Sequence, residues 1–239
     1  MDPLNYWAIA ERDIEIQNPI TDRKLRLLTD YCDIRDGLSV LDIGCGKAWL
    51  MRQWAEQHAI EGVGIDINAR FLEVARRKHP AKGQLTFHNA AVRGFSVAPE
   101  SFDVVLCLGS SFVIGEPPDA LEWMARATKP GGTMVLGDMV LKHPPAVPRG
   151  EILPPDTVGM IGVVERHGAE VSATISASEA DFERYASHHR HATLTWAREH
   201  ANHPDHAAVL RKSRDDWMYY QRSIRPMLGW TIFVGRKKG

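Results

Sequence analysis

Cysteine is scarce: Cys32, Cys45 and Cys107 are the only three in the chain. An odd number of well-separated thiols, none at a metal-ligand spacing, argues against a disulfide frame and reads as reduced, intracellular chemistry. An excess of either charge is also lacking. With 29 Lys and Arg against 30 Asp and Glu, the formal net charge is −1, so no general pull towards nucleic acid or an anionic membrane surface is expected. The closing Gly235-Arg236-Lys237-Lys238-Gly239 is only a short basic tail. No apolar run approaches the length of a membrane span, and Met1 to Ile16 is interrupted by Asp2, Glu11, Arg12, Asp13 and Glu15, which excludes a secretion signal there. Repeats and low-complexity tracts are absent. A soluble, cytoplasmic protein with no membrane or nucleic-acid partner is expected.

What is present is enough apolar sequence for one full core: 44% of the 239 residues are hydrophobic. The stretch that organises the chain is Ser39 to Ala48, read S-V-L-D-I-G-C-G-K-A. A short apolar run, Val40 to Ile43, breaks into Gly44-Cys45-Gly46, and a helical segment from Trp49 to His58 follows. Strand, side-chain-free turn and helix start together let a sizeable polar ligand approach bare backbone and unpaired N–H groups.

Further strands are expected at Gly62–Asn68, Leu85–Phe87, Phe102–Leu108 and Thr133–Leu136, the last after a Lys129-Pro130-Gly131-Gly132 turn. Helices are expected from Asp22, over Ala69–His79 and over Asp119–Thr128. Strands alternating with helices at this spacing predict right-handed crossovers and a doubly wound, mostly parallel α/β sheet. After Asp138 the rhythm changes. A loop with Pro144, Pro145, Pro148, Pro154 and Pro155 precedes a helix over Asp156–His167, and Val171 to Ser178 alternates like a strand. Ser178-x-x-Asp181 then caps a helix carrying Phe182, Tyr185, His189 and Trp196; a second helix spans Pro204–Leu228, and Trp230 to Val234 closes the sheet.

Two common readings of the glycine turn fail on residues that are present. A dinucleotide fold needs a third glycine where Trp49 stands. A phosphate loop needs a hydroxyl after its lysine, and Lys47 is followed by Ala48. What remains is D-x-G-x-G, with Asp42 two residues before the turn. This resembles motif I of the class I S-adenosylmethionine-dependent methyltransferases. Asp66 at the end of the second strand, Ser101-Phe102-Asp103-Val104-Val105, and Lys129-Pro130-Gly131-Gly132-Thr133 extend the likeness over roughly Asp22 to Asp138. Asn18-Pro19-Ile20, Gly109-Ser110-Ser111-Phe112, and Leu228-Gly229-Trp230 with Phe233-Val234 are similar to a bacterial small-molecule branch, of the type 11/25 methyltransferase-domain kind.

The resemblance implies a seven-stranded Rossmann-like sheet whose seventh strand is antiparallel, and S-adenosylmethionine as cofactor. It implies that Asp66 holds the ribose hydroxyls and that Asn89, where the family has an acid, faces the adenine amino group. Asp42, Gly44, Cys45, Gly46, Ile67, Asn68, Ala90 and Leu108 complete the expected cofactor site. About 50 residues separate the sixth and seventh strands, far more than a hairpin needs. Residues 179–228 are therefore expected to form a helical lid over a small-molecule acceptor, with residues 1–20 as an N-terminal cap and 21–145 as the cofactor-binding core of a single domain.

Transfer is expected by in-line displacement to an N, O or S atom of the acceptor, and only a tightly held acceptor proton calls for a base. Six of the 11 histidines lie in the insertion. Tyr185, His188 and His189 are the candidates for a base or acceptor contact, beside the plainer reading of histidines on a solvated helix face. Asn18, Asp138 and Tyr219 are candidate acceptor contacts. His188 and His191 share a face but have no Cys or carboxylate at ligand spacing, so no metal is expected. An RNA or protein methyltransferase, and a cofactor-binding protein with a cyclase-like or non-catalytic role, stay open as alternatives.

Overall fold

The computed structural model describes residues 1–78, 80–142 and 153–239. Seven strands form one sheet in the order β3-β2-β1-β4-β5-β7-β6. They are β1 (Ser39–Ile43), β2 (Glu61–Asp66), β3 (Gln84–Asn89), β4 (Phe102–Leu108), β5 (Thr128–Leu141), β6 (Ala169–Ser176) and β7 (Leu228–Lys237). Strands β1 to β5 pair in parallel, and β7 runs antiparallel to both β5 and β6. This is the Rossmann-like arrangement expected, with the reversed seventh strand.

Side chains alternate across the sheet, as a period of two requires. Val40, Val104, Leu106, Val135, Ile232 and Val234 face a core shared with α2 (Asp22–Tyr31), α3 (Trp49–Gln57) and α4 (Ala69–Arg77). Leu41, Ile43, Val105, Cys107, Leu136 and Phe233 face the opposite core, under α5 (Pro117–Ala127) and α6 (Thr157–Arg166). Both faces are covered, which is why the β4 sequence is an unbroken apolar run.

Several boundaries differ from the sequence reading, each for a local reason. β5 begins at Thr128 and absorbs the Lys129-Pro130-Gly131-Gly132 turn as an irregularity in its pairing with β4, Gly131 taking φ +71°. It then runs to Leu141 because β7 pairs with it from Thr133↔Arg236 to Leu141↔Leu228. α5 starts two residues early: Pro117 occupies the first turn, where no N–H is needed, and Glu116 with Asp119 closes a capping box. Residues 1–20 hold a helix, α1 (Pro3–Ala10), capped by Asp2. The expected final helix is shorter, α8 (His206–Tyr219), and widens into a π turn over Tyr220–Ile224. Pro226 lies just beyond, where its missing N–H and its ring disrupt regular α geometry. His79, Pro144, Pro145, Pro148 and the expected core boundary at residue 145 lie outside the described residues.

The insertion is helical: α7 (Glu179–Glu199) and α8 form an antiparallel pair. The Ser178–Asp181 capping box starts α7, and Lys24 ties Asp181 to α2 at 2.6 Å. The pair shares a small core of its own, Trp196, Ala197 and Val209, with Ile9 of α1. Cap and insertion therefore meet over the carboxyl ends of β1 and β4. There the strand order reverses, which is the ligand-binding position of doubly wound sheets.

Candidate cofactor cleft and acceptor chamber

The turn after β1 holds three residues in the left-handed region, Gly44 (φ +63°), Gly46 (φ +53°) and Ala48 (φ +53°). A Cβ on Gly44 would collide with Ser110, whose hydroxyl donates to the Ile43 carbonyl at 2.5 Å and stitches the turn to the end of β4. The amides expected to await a ligand have partners within the chain. Gly46 N–H and Asn68 N–H donate to the two oxygens of Asp66 at 2.8 and 2.7 Å, and Lys47 N–H donates to Gln17 Oε1 at 2.6 Å. What the turn presents is bare backbone surface beside a carboxylate that keeps lone pairs free for further donors.

Lys47 does not act as a phosphate-loop lysine. Its buried ammonium donates to the carbonyls of Glu11, Arg12 and Ile14 at 2.8, 3.2 and 2.6 Å, knotting the chain that follows α1 onto the turn. Burial holds its pKa below the ordinary lysine value. Glu15 takes further ion pairs from Arg52 at 2.7 Å and Lys78 at 2.9 Å, and Asn68 donates to the Leu4 carbonyl at 3.1 Å. Trp49, where a dinucleotide fold has glycine, is half-buried with the Arg26 guanidinium 5.2 Å over its ring.

Under this strap lies a cleft of about 560 Å³, within the range of roughly 300–1,000 Å³ typical of small-molecule sites. Gly44, Gly46, Asp66, Ile67, Asn68, Ala90 and Leu108 line it. Asp42 and Cys45 instead face a small recess behind the turn, which Gly44, Gly46 and Leu108 also reach. Asn89 is exposed, and its amide nitrogen donates to the carbonyls of Asp66 (3.1 Å) and Ile67 (2.8 Å), so it braces the loop after β2. The wall beyond it is made by Ala90, Ala91 and Val92.

Sequence reasoning missed Leu4, Trp7, Glu11, Phe71 and Phe112 in this lining, and it placed Tyr185, which also lines it, on the acceptor side only. Phe112, 75% exposed at the cleft, is the one with a local signal, since it ends the Gly109-Ser110-Ser111-Phe112 turn. Burial raises the Asp66 carboxyl above its ordinary value, and burial together with the nearby Asp66 pushes Asp42 up to about 8. Burial also lifts the Cys45 thiol, which keeps it protonated and unreactive.

The cleft's donor set suits a cation. Among the described residues its lining includes Glu11 and Asp66 and no Lys, Arg or His. A dinucleotide's pyrophosphate would meet two acids and no counter-charge, whereas S-adenosylmethionine carries an ammonium and a sulfonium. Asp66 also lines the cleft with a carboxylate, a group able to accept from a pair of donors such as a cis-diol.

A second cavity of about 350 Å³ adjoins the cleft beneath α7 and α8. Its walls are rich in aromatic side chains, including Tyr6, Trp7, Phe182, Trp217, Tyr220 and Trp230, with polar groups from Gln17, Asn18, His189, Arg190, Ser213 and Asp216. Of the candidates named from sequence, Tyr185, His189, Asn18 and Tyr219 reach this chamber, Tyr219 from an exposed position at 61%. His188 does not: it is exposed, since on a helix adjacent residues point about a third of a turn apart. Asp138 is also kept out, because its carboxylate accepts from the Ser111 hydroxyl and the Met139 amide. Burial raises its pKa. Of the other insertion histidines, His200 stacks on Trp196 and His203 meets its edge, both on the solvent side. Four residues, Trp7, Gln17, Gly109 and Tyr185, line both cavities and so frame the opening between them.

The sheet, the acid-flanked glycine turn and the cleft are those of the class I S-adenosylmethionine-dependent methyltransferase fold, and the comparisons with known proteins point to the same group. A methyltransferase-domain family model matches residues 40–132. Over its whole length the chain is similar to YjhP of Escherichia coli, 27% identical over 98% of both chains. The crystal structure of YjhP superposes with a TM-score of 0.87 at 25% identity, covering 98% of this chain and 100% of that one. A Thiobacillus denitrificans S-adenosylmethionine-dependent methyltransferase, crystallised with S-adenosylhomocysteine, shares the fold with a TM-score of 0.86 at 23% identity, each chain covered fully at 100%. The ubiquinone biosynthesis O-methyltransferase of Idiomarina loihiensis is 33% identical over 53% of this chain and 52% of its own. The chain thus spans about half the length of that relative. No described helix is long and apolar enough to cross a membrane.

Proposed function

We propose that the protein methylates a small molecule held in the aromatic chamber beneath α7 and α8. The observation that carries this reading is the framed opening: Trp7, Gln17, Gly109 and Tyr185 line both the cofactor cleft and the chamber. S-adenosylmethionine brings a methyl group that is already electrophilic, so the chain needs no nucleophile of its own. Its residues have to align an acceptor atom with that methyl and keep water away. Asp66 and Asn68 hold the nucleoside end, the turn at Gly44 and Gly46 allows close approach, and Asp42 waits behind the turn as a latent anion. The apolar walls at Trp7, Trp217 and Trp230 exclude water from the acceptor side.

A chamber of about 350 Å³ suits a ligand of metabolite size, and the lining has no excess of cationic groups to draw in nucleic acid, so we favour a small-molecule acceptor over the macromolecular alternatives. The similarity to O-methyltransferases supports oxygen as the acceptor atom. The test is calorimetric titration with S-adenosylmethionine, S-adenosylhomocysteine and NAD, followed by methyl-transfer assays over a panel of phenols, amines and thiols. Binding of both sulfur nucleotides but not NAD, with turnover of a panel member, is the expected result. Absence of binding by either sulfur nucleotide would overturn the reading.

A further inference from the structure

Where the opening meets the N-terminal strap, three polar groups converge on one buried carboxylate. Glu11 accepts from Tyr185 OH at 2.8 Å and from Gln17 Nε2 at 2.5 Å, and its Oε1 lies 3.3 Å from His189 Nε2. The last separation is that of an ion pair, yet the alignment is too bent for a hydrogen bond, so Nε2 stands buried and unpartnered. Burial and the adjacent Glu11 hold the Tyr185 phenol far above its ordinary pKa. Tyr185 therefore remains a donor to Glu11 and takes no proton. His189, packed edge-on to Tyr185 at 4.3 Å between ring centres, lines the chamber. With Nε2 turned to Glu11, the nitrogen left to receive a proton is Nδ1, to which nothing among the described residues is bonded.

We propose that His189 is the base for the acceptor's proton, that Glu11 is its positioning residue, and that the acceptor is an aromatic hydroxyl. This rests on the methyltransferase reading above. The O–H bond of the acceptor breaks and its proton passes to Nδ1. The oxygen forms the new O–CH3 bond as the S–CH3 bond breaks, the electron pair staying on sulfur. The Glu11 carboxylate, 3.3 Å from Nε2, balances the charge of the imidazolium, and the proton later leaves to water. A base is needed for a phenol and not for a neutral amine or a thiolate, and the aromatic walls match a planar ring.

The charged and titratable groups around His189 are consistent with this. Glu11 comes from the strap and Tyr185 from its own helix. Arg190 is turned to Ser213 at 2.9 Å, and Asp216 of α8 is tied up with Lys212 at 3.0 Å. Glu11 is therefore the charge that bears on the imidazole.

The test uses para-nitrophenol, whose ionised form is coloured, titrated into the full-length protein saturated with S-adenosylhomocysteine across neutral and mildly acidic pH. The expected result is that the bound probe ionises at a pH about one unit or more below the free probe. His189→Asn should remove that shift while still binding S-adenosylhomocysteine, and Glu11→Gln should remove it while keeping the parent's far-UV circular dichroism, which shows that each is folded. A probe bound as the neutral phenol, a shift that survives in His189→Asn, or no probe binding by a protein that does bind S-adenosylhomocysteine would overturn the proposal. Failure of S-adenosylhomocysteine itself to bind would instead overturn the methyltransferase reading.

Discussion

Replacing Asp42 by Asn probes the electrostatics of the turn more directly than any other single change. The carboxyl is buried, and burial together with Asp66 pushes its pKa from 3.8 up to about 8. An acid raised in this way stabilises the fold only while it is protonated. Its contribution is full below the unfolded value of 3.8 and is lost progressively as pH rises towards 8. At pH 7 the folded chain holds a proton that the unfolded chain has released across about 3 pH units, and at about 1.4 kcal/mol per unit this costs on the order of 4 kcal/mol. Asn has nearly the same shape and no ionisation to reverse. Asp42→Asn should therefore match the parent near pH 4 and become more stable than it by about 1.4 kcal/mol per pH unit up to pH 7. Urea unfolding at four or five pH values, followed by Trp fluorescence and far-UV circular dichroism, would measure the gap. A stability difference that does not change with pH would refute the assignment of Asp42 as a buried neutral acid.

Asp66→Ala removes the carboxylate that organises Gly46 and Asn68 and is placed for two ligand hydroxyls. Calorimetry should show affinity for S-adenosylhomocysteine falling by about 2–4 kcal/mol, with part retained in Asp66→Asn. Lys47→Met leaves three carbonyls, one buried and two part-buried, without their donor; it should cost about 2–4 kcal/mol and open the chain around Glu11 to Ile16 to limited proteolysis. Gly44→Ala forces a Cβ into Ser110 at φ +63° and should cost about 1–3 kcal/mol, read as a lower melting temperature of some 2–4 °C per kcal/mol.

The sheet was legible because its signal is local. Alternation such as Val40, Leu41 and Ile43, broken by glycines, reports two covered faces without reference to distant residues. Strand ends were less legible. β5 is extended by pairing with β7, a partner about 100 residues away that leaves no mark in the β5 sequence itself. The cofactor cleft divides in the same way. Asp66 and the turn glycines announce themselves by spacing, whereas Glu11, Trp7 and Phe71 enter it only because the N-terminal segment folds back over the turn. Asn89 shows the opposite limit: its position in the pattern matched, but its amide is engaged by the Asp66 and Ile67 carbonyls at the end of the neighbouring β2. In the insertion, helical spacing put His188 and His189 one residue apart, and only the docking of α7 against α1 decides which of the two faces inward.

Lys47 has a consequence for competition between ligands. Adenosine is common to S-adenosylmethionine and ATP, so a pocket that recognised only the nucleoside would fill with whichever was more abundant. By committing its ammonium to three carbonyls of its own chain, Lys47 withdraws the cation that would greet a triphosphate just past a glycine turn. Glu11 and Asp66 then repel any anion that enters. A triphosphate would thus find no lysine at this turn, because the knot that fastens the strap has already taken it.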